Sequence, residues 1–212
     1  MMKKLFKGFV FVALAAITFS ACNKNDFDFE KEKEAARIRD SIENVRIKKL
    51  IALQAPELEA FAKKNFTNPQ FDTTTGMWFE IITENTDNSY EYKVNSNGIL
   101  APTISVEYRG SLLTKMDKPF DETEKDKPRE FSLGNTIAAW QWAFLPKVFK
   151  YNGVEVKTSG LTAKGLKKGG KIRFATPSPW GYDTQSLKDK NGETTIPANS
   201  PLYFEIKVVD IK

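Results

Sequence analysis

The chain has 212 residues, 41% of them hydrophobic and 28% charged, ordinary proportions for one globular domain with an appendage. It holds no histidine and one cysteine, which excludes a Ser-His-Asp triad, a Cys-His pair, a histidine metal site and an intrachain disulfide. Of the formal +5 charge, Lys3, Lys4 and Lys7 lie in the first 21 residues, where there is no acid; without them +5 becomes +2. The other basic residues alternate with acids, as in Lys31-Glu32-Lys33-Glu34, so no nucleic-acid partner is expected.

Residues 1–21 read as a signal peptide: a positive start, then an apolar run from Gly8 to Ala21. That run is short of the roughly 20 apolar residues a membrane span needs. It ends Phe19-Ser20-Ala21-Cys22, which resembles a bacterial lipobox and implies lipidation of Cys22 with palmitate-type chains. The alternative is an ordinary signal peptide with Cys22 left as a free thiol; a lone cysteine at this position favours the lipoprotein reading. The expected location is the cell envelope, lipid-anchored to a membrane, with the outer membrane facing periplasm or cell surface preferred. Residues 22–30 are expected to be an acidic tether.

Residues 31–72 are expected to form a helical arm. Ile38, Ile42 and Val45 fall at helical spacing, with Ile47, Leu50 and Ile51 following, and Pro56 is expected to open a second short helix carrying Leu58, Phe61 and Ala62. This stripe is shorter than the three heptads of a coiled coil, so a docked helix or spacer is preferred and a dimerisation arm is the alternative. Strands are expected at Met77–Ile82, Ser89–Val94, Thr103–Tyr108, Lys171–Thr176 and Leu202–Val208. Leu202, Phe204, Ile206 and Val208 alternate, as in an antiparallel strand with one covered and one wet face. Few helices among many strands argue an α+β fold.

Several blocks carry more than periodicity. They are Val-Glu-Tyr-Arg-Gly at 106–110, Pro-Phe-Asp at 119–121, Phe-Ser-Leu-Gly-Asn-Thr-Ile-Ala-Ala-Trp at 131–140, Gly-Tyr at 181–182 and Ile-Pro-Ala-Asn-Ser-Pro-Leu-Tyr-Phe-Glu-Ile at 196–206. In order and residue type this series resembles the FKBP-type peptidyl-prolyl cis-trans isomerases, here in the form of a bacterial, Bacteroidetes-type lipoprotein. The resemblance implies an antiparallel sheet curved around a short helix, occupying 73–212 with its core at 100–212. It also implies an isomerase (rotamase) needing no cofactor or metal, whose partners are proline-containing unfolded or exported polypeptides and tacrolimus-type macrolides.

By the same resemblance, Tyr108, Phe120, Asp121 and Tyr182 are the catalytic positions, and Phe131, Thr136, Ile137, Trp140, Ile196 and Phe204 the substrate-binding ones. Tyr108, Phe131 and Phe204 would also serve as core residues of any alternating sheet. Asp121 and Tyr182 are more diagnostic, because each is polar in a block that otherwise needs none, and an aspartate beside a buried ring needs a partner; a solvated turn aspartate is the alternative for Asp121. Trp140 is the expected pocket floor, with Trp142 the alternative.

The chain departs from the family pattern in several places, Ala138-Ala139 before the floor tryptophan and a long 184–195 segment among them. About twenty residues are inserted after Trp140 and are expected beside the pocket. Asp183 stands where the family has glycine. The basic residues after Asp121 are Lys125, Lys127 and, beyond them, Arg129, and lysine cannot make a bidentate bridge. These departures leave open an FKBP-like binding or chaperone lipoprotein with little isomerase activity.

Overall fold

The computed structural model describes residues 29–95 and 98–212. The stretch read as a leader, Cys22 and most of the stretch read as a tether lie outside the described residues. Helix α1 spans Phe29–Asn65 without interruption, so the second helix expected at Pro56 is not separate. Proline removes one i→i−4 hydrogen bond and crowds the turn before it. Burial on both sides offsets that loss: Gln54, Leu58, Phe61 and Ala62 recur at i, i+4, i+7 and i+8 and are all buried. Glu30 and Glu32 in the first turn and Lys63 and Lys64 in the last complement the helix dipole.

The stripe read at Ile38, Ile42 and Val45 is not the buried one. All three are more than half exposed, and the inward face is carried by residues further along. The chain divides into two compact units between Ser41 and Ile42. The boundary expected at 72/73 therefore falls inside the second unit, because the end of α1 packs as part of it.

The strands are β1 (Gln70–Asp72), β2 (Met77–Thr83), β3 (Val94–Asn95), β4 (Gly98–Ile99), β5 (Thr103–Leu112), β6 (Asp121–Glu122) and β7 (Arg129–Ser132). After helix α2 (Ala138–Phe144) come β8 (Val148–Tyr151), β9 (Val154–Lys157), β10 (Lys171–Thr176), β11 (Leu187–Lys188), β12 (Thr194–Ile196) and β13 (Leu202–Ile211). Among the described residues, seven strands make one sheet in the order β1-β2-β10-β13-β5-β6, with β7 also paired to β5. Its pairings are antiparallel, as the alternation of β13 predicts. The fold is α+β.

One face of the sheet carries the main core. Ile104, Val106 and Tyr108 of β5, Ile172 and Phe174 of β10, and Phe204, Ile206 and Val208 of β13 meet Ala139, Trp140, Ala143 and Phe144 of α2. The two alanines let this short helix sit close to the strands. The opposite face was expected to be wet, yet α1 covers part of it. Leu58, Phe61, Ala62 and Phe66 pack on Ala175 and Tyr203, with the Phe61 and Tyr203 rings 5.5 Å apart.

Two other expectations change. Ser89–Val94 is mostly irregular, with only Val94 in a strand. Its tyrosines are used for packing rather than pairing: the Tyr92 hydroxyl donates to the Leu166 carbonyl at 2.6 Å, and its ring meets Phe149. The insertion after Trp140 forms the β8–β9 hairpin, turned by Asn152 (φ 49°) and Gly153 (φ 80°), the left-handed pair that a two-residue hairpin loop requires.

Candidate functional site

The site forms where α2 meets the concave core face of the sheet. β5 and β13 pair Gly110 with Phe204, and β5 presents Tyr108 inward two residues earlier. β6 brings Asp121 opposite Gly110, and β7 brings Phe131 opposite Ile104. Trp140 lies on α2. Together these elements enclose a cavity of about 210 Å³ lined by Tyr108, Phe120, Asp121, Phe131, Asn135, Thr136, Ile137, Trp140, Tyr182 and Phe204.

Nine of the ten residues singled out in the sequence therefore meet at one cavity. Ile196 does not: at 2% exposure it is packed into the core and does not line the cavity wall. Asn135 lines the wall and was missed; only its place between the flanking Gly134 and Thr136 hinted at it. No residue of the β8–β9 hairpin lines the cavity, so the insertion is not the pocket neighbour expected.

The rings stack edge to face. Trp140 lies 5.0 Å from Tyr108, 5.6 Å from Phe131 and 5.7 Å from Phe204, at angles of 77–87°. Phe120 meets Phe204 at 5.8 Å and 80°. Such T-shaped contacts place the positive edge of one ring on the negative face of the next and fix the wall. Trp140 lines the cavity, whereas Trp142 does not and instead pairs with Trp180 at 4.7 Å.

The polar rim is anchored from behind. The Tyr108 hydroxyl donates to Asp121 Oδ2. Arg129 Nη1 donates to Asp121 Oδ1 at 2.9 Å, to Oδ2 at 3.2 Å and to the Tyr108 hydroxyl oxygen at 2.7 Å. Arg129 thus holds Asp121 through Nη1 alone, while its Nη2 donates to the Glu122 carbonyl at 3.1 Å. The available signal was alternation: Arg129 and Phe131 are two apart on β7 and share a face.

Burial first, and then the hydrogen bond to Asp121, push the Tyr108 hydroxyl well above the ordinary phenol value. Burial, with the nearby Asp121 charge, also raises Tyr182. Both hydroxyls therefore stay protonated at neutral pH. Among the described residues, the Tyr182 hydroxyl and the Ile137 N–H have no protein hydrogen-bond partner, and both residues line the cavity.

The sequence profile of the FKBP-type peptidyl-prolyl cis-trans isomerases matches residues 100–209. The chain is 28% identical over 191 residues to a protein named "Probable FKBP-type peptidyl-prolyl cis-trans isomerase" from Haemophilus influenzae, covering 87% of this chain and 66% of that one. It is 34% identical over 110 residues to the FKBP-type peptidyl-prolyl cis-trans isomerase FkpA of Buchnera aphidicola, covering 51% of this chain and 33% of that protein. The solved structure of FkpA from Escherichia coli aligns at 20% identity with a TM-score of 0.48, covering 90% of this chain and 74% of that one. The chain thus spans less than two thirds of the length of FkpA from Buchnera and just under two thirds of the Haemophilus protein. The matched profile takes in more than half of the 212 residues, and the chain belongs to the FKBP-type peptidyl-prolyl cis-trans isomerase family.

Proposed function

We propose that this chain catalyses rotation about the X-Pro amide in proteins that fold in the cell envelope, to which a lipid on Cys22 anchors it. The observation that carries the reading is the aromatic cavity with a sparse, anchored polar rim. Rotation about an amide costs about 18–20 kcal/mol, most of it lost C–N resonance. In the twisted state the carbonyl is less polarised, so an apolar, water-poor enclosure binds it better than the planar form. Each 1.36 kcal/mol of that preference is tenfold in rate.

In this reading the proline ring sits on Trp140 between Phe120, Phe131 and Phe204. The free Ile137 N–H and the unpartnered Tyr182 hydroxyl donate to substrate carbonyls. Asp121, held by Tyr108 and Arg129, offers a fixed negative edge beside the twisting amide. No nucleophile or general base is required, consistent with a chain that has no histidine. The same cavity would take tacrolimus-type macrolides.

The test is cis–trans exchange of a short Ala-Pro peptide, followed by NMR with the chain lacking residues 1–22. Faster exchange, competed by a macrolide, supports the proposal. Unchanged exchange with retained peptide binding would leave a binding module instead. Anchoring is tested separately: a palmitate analogue should label the intact chain, and Cys22→Ser should abolish labelling.

A further inference from the structure

The turn that carries Tyr182 is irregular and is not held by its own strand pairing. It runs from the 3-10 turn Ser178–Trp180 through Gly181 to Asp183, which takes a left-handed φ of 49°. Such a conformation is uncommon for a residue with a Cβ, though aspartate tolerates it better than most, and within the turn the Asp183 N–H donates to the Ser178 carbonyl at 2.9 Å. Because the Tyr182 hydroxyl bonds to no protein group among the described residues, its backbone and ring packing set where it points.

Helix α1 braces this turn from outside, with two side chains two turns apart. Arg46 grips Asp183 bidentately, with Nη1 to Oδ1 at 3.0 Å and Nη2 to Oδ2 at 2.5 Å. Gln54, 6% exposed, donates from Nε2 to Ser178 Oγ at 2.9 Å and to the Asn199 carbonyl at 2.8 Å. Its Oε1 accepts from the Ser178 N–H at 2.8 Å. Asn199 N–H in turn donates to the Asp183 carbonyl at 2.6 Å. The turn is therefore clamped at both ends by one rigid element, on either side of Tyr182.

Resting on the isomerase reading above, we infer that Arg46 and Gln54 of α1 are positioning residues that set the Tyr182 hydroxyl for catalysis. A buried amide with both ends satisfied is a costly feature to leave unmade. An arginine fork on this aspartate adds directional as well as energetic specificity. Neither is needed merely to cover the sheet, since Leu58 and Phe61 do that further along the helix.

The test is a double-mutant cycle in the full chain, held in detergent, with Arg46→Met and Tyr182→Phe. Arg46 is partly exposed, so its loss should leave the fold intact. Arg46→Met should lower kcat about fivefold beside Tyr182, and less than about twofold in the Tyr182→Phe background. Asp183→Asn should reproduce the loss, and adding it to Arg46→Met should cost little more. Equal losses in both backgrounds, or no loss, would overturn the inference. A readout independent of catalysis separates it from the isomerase proposal. With 13C-labelled tyrosine rings, Arg46→Met should shift the Tyr182 signals and spare those of Tyr108. An unmoved Tyr182 signal would overturn the inference, whereas a wild-type chain without activity would overturn the isomerase reading alone.

Discussion

Gly110 lies directly beneath the ring of Phe120: a Cβ at Gly110 would stand 2.7 Å from Phe120 Cζ and equally close to Phe204 Cε1. The glycine is there for close approach, so that a strand can pass under the cavity wall. Gly110→Ala should force Phe120 outward, destabilising the domain by about 1–3 kcal/mol, the usual cost of overpacking. Peptide affinity should fall with it. Thermal unfolding and peptide titration check both.

Arg129 makes the bridge to Asp121 from the surface, half exposed, so its contribution to stability should be under about 1 kcal/mol. Its contribution to the site should be larger. Arg129→Lys keeps the charge but cannot hold Asp121, the Tyr108 hydroxyl and the Glu122 carbonyl together as the two guanidinium nitrogens do, and isomerase turnover should fall severalfold while the melting temperature barely moves. A full-rate Arg129→Lys variant would show that the orientation of Asp121 is unimportant.

Tyr182→Phe removes a hydroxyl that bonds no protein group among the described residues, so folding stability should be unchanged and kcat/KM should fall about tenfold, the scale of one lost net hydrogen bond. Trp140→Leu should abolish activity and cost about 3 kcal/mol by emptying the floor. Trp142→Leu, which leaves the cavity wall intact, should retain most activity. The reverse ranking in a peptide-exchange assay would move the floor to Trp142.

Glu80 links pH to stability. It is 5% exposed, and its carboxylate accepts from the Asn68 N–H at 2.8 Å, the Thr67 N–H at 3.3 Å and the Arg173 guanidinium. Burial acts to raise its pKa, but the Asn68 N–H, Arg173 and the Thr67 N–H outweigh it and hold the carboxyl below the ordinary 4.5. A depressed folded pKa means the stabilisation is full above about pH 4.5 and is lost as the pH falls through the folded value. Glu80→Gln should cost about 2–3 kcal/mol at pH 7 and flatten the acid side of the stability profile, as urea titrations between pH 3 and 7 would read.

Short-range patterns were legible and long-range partners were not. Leu202 to Val208 announced β13 because strand alternation is a local property, and the aromatic blocks announced the cavity because their order is carried along the chain. Pro56 misled, since a proline's local cost was outweighed by tertiary burial of Leu58 and Phe61. Ile38, Ile42 and Val45 misled for a related reason: a helical period says that a face exists, not that something covers it. Ser89–Val94 has the composition of a strand but found ring contacts instead of a pairing partner. Gln54 and Arg46 meet Ser178 and Asp183 across more than 120 residues, and nothing near them in sequence signals the meeting.

The position of the division at Ser41 and Ile42, inside α1, decides how the chain tolerates being cut. Cleavage near residue 72 would peel Phe61 and Phe66 from Tyr203 and bare an oily face of the sheet, inviting aggregation. Cleavage near residue 41 would leave that face shielded. A chain truncated to start at Ile42 should accordingly stay soluble with a cooperative thermal transition, and one starting at Thr73 should be lost to precipitation.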